Sequence, residues 1–225
     1  MNGKAIIKFL VVIAAIIGLF AYFIQPLAGS LKQGLDLQGG THIVLEAEDS
    51  ATGTADNDAV ERAKQILERR INEMGLSEPL VQREGARRII IELPGVKDPD
   101  EAIKRIGKTA VLEFKNDQGQ TVMTGDDLKD AKEELGQNKQ PLVAIELSDE
   151  GAKKFADLTS KNIGRRIAIT LDGKELTNPV VQQAITGGKA TISGSQSLEE
   201  AKDLAILLRS GALPVKINVL EVRTV

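Results

Sequence analysis

The stretch closest to recognisable chemistry is GLDLQGGTH, residues 34 to 42, where Gly34 is followed after four residues by Gly39, Gly40 and Thr41. A phosphate-cradling loop reads G-x-x-x-x-G-K-[ST]; its lysine reaches the outer phosphates and its glycines open a helix N-terminus. Here Gly40 stands at the lysine position, and the following IVLEAE alternates apolar residues as a strand does. Both requirements fail, so the stretch reads as the glycine-shaped start of a strand. Asp36 and Gln38 fall on one side of the alternation and Leu35 and Leu37 on the other, while Gly39 and Gly40 permit a bulge or a close backbone approach. His42 is the only histidine and cysteine is absent. That composition removes thiol nucleophiles, disulfides and cysteine metal sites, and leaves any imidazole site or catalytic triad resting on one residue, which is read as structural. No HExxH, GxSxG or EF-hand pattern occurs. The carboxylates are spread over what read as solvated helix faces, such as KDAKEELGQ. The expectation is therefore a protein that is not an enzyme and has no cofactor or metal.

Composition narrows the partners. With 3% aromatic residues, no Trp and one Tyr, the chain lacks stacking platforms, and a pI near 5.4 opposes binding to a phosphate backbone. Nucleic acid is excluded as an expected partner, while a hydrophobic fraction of 42% is ample for a buried core.

The first 30 residues, MNGKAIIKFLVVIAAIIGLFAYFIQPLAGS, read as a membrane anchor. Ile6 to Ile24 is apolar except for Lys8, and a helix of about 19 residues rises about 28 Å, close to the roughly 30 Å hydrocarbon core. Lys8 can snorkel to the headgroups, and Tyr22 and Phe23 fall where an interfacial aromatic belt would lie. Lys4 and Lys8 precede any acidic residue, which places the N-terminus in the cytoplasm and the remainder outside. The apolar run exceeds that of a cleavable signal peptide, and LAGS has Ser30 where a lipoprotein box needs cysteine. Without those two lysines the remainder carries a formal charge of −5.

The elements beyond the anchor are read from periodicity. NDAVERAKQILERRINEMG sets Val60, Ala63, Leu67, Ile71 and Met74 along one helical stripe, with Asp58 and Glu61 at capping-box spacing and Gly75 as stop. RRIIIELPG alternates Ile89, Ile91 and Leu93, and KDPDEAIKRIG begins a helix with Asp98 as cap and Pro99 at its first position. TAVLEF adds Ala110, Leu112 and Phe114. LPGVKDPDEA (93 to 102) aligns without gaps on ISGSQSLEEA (192 to 201), two strand-to-helix corners; the second leads into SLEEAKDLAILLRSG, with a Ser197/Glu200 box, and the strand PVKINVLEV. Between them lie the strand PLVAIEL, the helix DEGAKKFADLTSKNIG with Ala152, Phe155, Thr159 and Ile163 along one face, and a hairpin turning at Asp172-Gly173. The class read from this pattern is α+β: an N-terminal transmembrane helix (1–30), a ferredoxin-like base (31–115 plus 188–225) and an inserted α/β head (116–187), with polar joins near Asn116 to Gln120 and Thr186 to Gly188 about which the head could swing.

GLDLQGGTH, ELPGVKDPDEAIKRIGKTAVLEF and AKDLAILLRSGALPVKINVLEVRTV, together with TGDDLKDAK, KNIGRRIAITLDG and ISGSQSLEEAKDLA, resemble the SecD/SecF family of bacterial protein-export membrane subunits, in the RND superfamily, over the N-terminal part of that family. The resemblance implies an anchor in the cytoplasmic membrane, an extracytoplasmic domain contacting unfolded translocating polypeptide, work with SecF and the Sec channel, and use of proton or sodium motive force. It implies that Gly34, Leu35, Asp36, Leu37, Gln38, Gly39 and Gly40 form the family's structural motif. It also implies five further membrane helices after Val225, carrying the ion-coupling acids. Membrane lipid is an expected neighbour, and Phe155 and Leu158 on the head helix are the candidate substrate-contacting residues. The alternative is a membrane-anchored extracytoplasmic module that binds or assembles with a folded partner.

Overall fold

The computed structural model describes residues 10–13, 16–20, 39–50, 53–76, 79–96 and 98–224. Two compact units are formed, Met1–Gln38 and Gly39–Val225. In the first, residues 10–13 and 16–20 are helical, and Leu10, Val11, Ile16 and Phe20 are exposed. Among the described residues no helix is long and apolar enough to cross a membrane; the expected span from Ile6 to Ile24 lies partly outside them, and Gly34, Leu35, Asp36, Leu37 and Gln38 lie wholly outside.

The second unit opens with β1 (Gly40–Glu48), whose alternation buries Ile43, Leu45 and Ala47 on one face. Helix α1 (Asn57–Glu73) follows, with Val60, Ala63, Leu67 and Ile71 fully buried, as the stripe predicts. Its cap is Asp56, which accepts from the Ala59 amide at 2.7 Å, two residues before the expected Asp58, which sits in the first turn. β2 (Leu80–Glu84) and β3 (Arg88–Pro94) form a hairpin, and Ile89, Ile91 and Leu93 of β3 are fully buried. Asp98 caps the short α2 (Pro99–Ile106), with Pro99 at its start. The last strand, β11 (Lys216–Thr224), returns beside β1 to give the antiparallel order β11-β1-β3-β2. Four antiparallel strands in that order, interrupted by α1 and α2, make the ferredoxin-like base. Its core also takes Ala102 and Ile106 of α2.

Most of the chain between α2 and β11 builds a second apolar body, Leu213 and Val215 excepted. β4 (Leu112–Lys115), β5 (Thr121–Thr124), β8 (Ala168–Leu171) and β9 (Lys174–Thr177) form a sheet ordered β5-β4-β8-β9. β6 (Leu128–Leu135), β7 (Pro141–Leu147) and β10 (Lys189–Ser193) form another, ordered β10-β7-β6. Helices α3 (Asp149–Lys161) and α4 (Leu198–Ser210) complete the body, each capped by a serine, Ser148 and Ser197.

Three expectations change here. The apolar cores divide at 107–111 and 211–212, outside the expected boundaries of 116 and 187: the head core runs from Leu112 to Leu208, and Leu213 and Val215 rejoin the base. The reason is pairing. β4 bonds to β5 and β8, while α4 turns Ala201, Leu204, Ala205 and Leu208 to the head core and lies on β6 and β7. The joins proposed at 116–120 and 186–188 are therefore internal to the head; the first is a turn closed by the Asn116 amide on the Gln120 carbonyl (3.0 Å), and in the second the Gly188 carbonyl accepts from the Leu147 amide (2.8 Å). Finally, LKDAKEEL is strand β6, not a helix face, because it pairs with β7 along its length and buries Ala131. Tertiary pairing outweighs the helix preference of its residues.

Candidate functional site

The glycine pair shapes backbone. Gly39 (φ 67°) and Gly40 (φ 150°) both occupy regions that favour glycine. The Gly39 carbonyl accepts from the Gly95 amide at 3.1 Å, and the Thr41 hydroxyl donates to the Val96 carbonyl at 2.9 Å. The start of β1 is thus clamped to the β3–α2 corner. His42 sits opposite Glu92 across β1 and β3, with Nδ1 3.5 Å from the carboxylate, a cross-strand contact in the sheet. The irregularity of β1 lies in its pairing with β11, where Leu220 of β11 is the extra residue opposite the step from Val44 to Leu45.

The concave site is in the head. A cleft of about 1040 Å³ lies among β6, β7, β10, α3 and the segment 179–185. Phe155, Ile167 and Ile169 contribute its apolar lining, joined by Val180, Val181 and Ile185. Phe155 is held edge-on against Phe114, ring centres 6.0 Å apart at 70°. The segment 179–185 is pinned by backbone bonds, Ile167 to Pro179 (3.1 Å), Val181 to Arg165 (2.9 Å) and Gly164 to Val181 (2.8 Å). Thr159 adds a side-chain anchor: its hydroxyl donates to the Phe155 carbonyl at 2.7 Å and accepts from the Ile185 amide at 3.0 Å. The wall is therefore preformed, while Val180 stays 46% exposed at its lip.

Two ion pairs stand at the rim, where Glu134 and Lys189 also line the cleft. Lys132 meets Asp130 at 3.0 Å and Lys129 meets Glu146 at 2.6 Å. The lysine hydrogen bonds hold both carboxyls below their usual range, and Glu146 in turn raises Lys129. An apolar floor with charged residues around it suits binding of apolar side chains and an extended backbone. Among the described residues no group of three or more His, Asp or Glu is placed to hold a metal.

The two head residues singled out from sequence lie deeper than a surface contact requires. Leu158 is 3% exposed and packs in the head core, and Phe155 is 5% exposed, reachable only as part of the cleft lining. Phe155 lies on the expected helix face, and both it and Leu158 belong to the head core. Val180, Val181 and Ile185 were missed; their local signal was a pair of valines after Asn178-Pro179 in a polar run.

The sheets and helices set the fold, and sequence comparison supplies the family. Residues 103–215, half of the chain, match the family described as SecDF, P1 head subdomain. Residues 60–119 match the N-terminal P1 domain of protein translocase subunit SecDF, and residues 31–51 match the SecD/SecF GG motif. The chain belongs to the SecD/SecDF family. The head match brackets the body found structurally between α2 and β11. Protein translocase subunit SecD of Acidaminococcus fermentans is 57% identical over 225 residues, covering 100% of this chain and 54% of that protein. The SecD subunit of Dictyoglomus turgidum is 46% identical over 194 residues, 86% of this chain and 49% of its own. The crystal structure of SecDF in super-membrane-facing form superimposes with a TM-score of 0.77 at 42% identity, over 86% of this chain and 31% of that one. A second structure, of a membrane component SecDF that enhances protein export, is covered over its whole length (100%) by 82% of this chain, at 40% identity and TM-score 0.74. The chain spans about half the length of these two curated relatives.

Proposed function

We propose that this chain is the N-terminal part of a SecD-type subunit that assists protein export, and that its head cleft receives apolar stretches of unfolded polypeptide. The cleft carries the reading: about 1040 Å³, lined by Phe155, Ile167 and Ile169, with a preformed wall and two ion pairs at its rim. An opening of that kind takes many sequences weakly, because apolar contacts are non-directional. The names of the relatives support the same process.

In the finer reading, residues 1–30 cross the cytoplasmic membrane with the N-terminus inside, and residues 31–225 stand on the extracytoplasmic side. In the complete protein, SecF, the Sec channel and ion motive force act with this domain. A fixed folded partner is the second reading, favoured by the base edge strand β11, where Val219, Leu220 and Val222 are exposed.

The test is Val180→Asp in the complete protein. It places a charge at the cleft lip without touching the core, and is expected to slow export into membrane vesicles several-fold with unfolding behaviour unchanged. Wild-type export in that variant would overturn the assignment.

A further inference from the structure

The cleft wall at 179–182 runs as an extended strand that is paired on one side only. The Pro179 carbonyl accepts from the Ile167 amide at 3.1 Å, the Val181 amide donates to the Arg165 carbonyl at 2.9 Å, and the Val181 carbonyl accepts from the Gly164 amide at 2.8 Å. Val180 lies opposite Arg166, and Val181 opposite Ile163. In an extended chain successive residues send their backbone groups to opposite sides. The N–H and C=O of Val180 and of Gln182 therefore fall on the other edge, and among the described residues none of these four groups makes a hydrogen bond. Both residues are exposed and both line the cleft.

A strand edge with unpaired N–H and C=O groups is a template for a further strand from another chain. This one stands beside an apolar floor and is already rigid, because Arg165, Ile167 and, through Ile185, Thr159 hold 179–185 in place. A guest that pairs with it meets an ordered host, so little of the binding is lost to ordering the wall.

We propose, resting on the cleft as the site for unfolded polypeptide, that the guest is bound by strand addition: an extended segment pairs its backbone with Val180 and Gln182 and sets alternate side chains on the floor of Phe155, Ile167 and Ile169. Every residue except proline offers the same backbone donor and acceptor, so the pairing is independent of sequence. The floor then selects apolar side chains at every second position. A helical guest keeps its amides and carbonyls bonded internally and is refused. The ligand class is thus an extended, proline-free segment with apolar residues in alternation.

The probe is a fluorescein-labelled peptide of alternating valine and threonine with a lysine at each end, titrated by anisotropy against the 225-residue chain in neutral detergent. Replacing its central amides by esters removes the donors and keeps the side chains; affinity is expected to fall about fivefold or more, the loss of one or two net hydrogen bonds. Gln182→Pro deletes one host donor that the fold does not use, and should weaken the all-amide peptide about threefold or more, while Gln182→Ala, which keeps the donor, should stay within about twofold. If Gln182→Pro does not fold by circular dichroism, the ester peptide decides. Equal affinity for amide and ester peptides, with binding still lost in Val180→Asp, overturns strand addition and leaves the cleft as the site. No binding of the peptide to the original chain overturns both. Dimers in sedimentation that Gln182→Pro removes would give the edge to a second copy and also overturn the proposal.

Discussion

Arg209 of α4 donates two hydrogen bonds to one carboxylate oxygen of Glu73 at the end of α1, at 2.9 and 2.8 Å, and a third to the Ala131 carbonyl of β6 at 2.7 Å. One side chain thus joins the last turn of a base helix to a head strand. The pair is three-quarters buried, and Glu73 raises the Arg209 pKa through that bond. Glu73→Gln should lower unfolding stability by about 1 kcal/mol, and a double-mutant cycle with Arg209→Met should give a coupling energy of about 1 kcal/mol, above the usual value for exposed pairs. Urea denaturation of the four variants measures it; a coupling near zero would mean that the tie contributes nothing across the joint.

Leu158 separates a core role from a contact role. At 3% exposure inside the head core, Leu158→Ala removes buried methyl groups and should cost about 2 to 5 kcal/mol. Val180→Asp at the exposed lip should change stability by less than about 0.5 kcal/mol. Equal losses in chemical denaturation would contradict the placement of these two side chains.

Acid should loosen the β5-β4-β8 seam through Glu113. Its carboxylate sits 2.9 Å from the Lys115 ammonium and accepts from the hydroxyls of Thr121 (2.8 Å) and Thr170 (3.3 Å). These bonds, that of Lys115 first, hold its pKa below the ordinary 4.5. Below 4.5 the unfolded chain binds more protons than the folded one, so the contribution is complete above that value and is lost as pH falls through the lowered one. Glu113→Gln should therefore flatten the acid limb of the stability profile, measured as melting temperature between about pH 3 and 6. An unchanged slope would show that the seam does not depend on this charge.

Local chemistry made much of the fold legible. Ile89, Ile91 and Leu93 alternate in the sequence and are all fully buried; Asp98-Pro99 starts a helix, and Asp172-Gly173, at φ 49° and 76°, turns the expected hairpin. What stayed hidden depends on residues far apart in the chain. Arg70 looks in sequence like one more charge beside Arg69, and its burial follows from carbonyls 36 to 141 residues away. LKDAKEEL is made of helix-favouring residues and becomes a strand through β7 and α4. The cleft is the meeting of six segments, β6, β7, β10, α3, 167–169 and 179–185, which no single helix face reveals.

Whether the cleft meets unfolded chains of many sequences is read from a photo-crosslinking residue at Val180 in the complete protein, during translocation of several unrelated polypeptides, with a second probe at Leu220 on β11 as comparison. Adducts from Val180 to each translocating chain, and none when translocation is stopped, are expected. Adducts from Leu220 alone, or one constant adduct from Val180 that is independent of translocation, would rule the cleft out as that site.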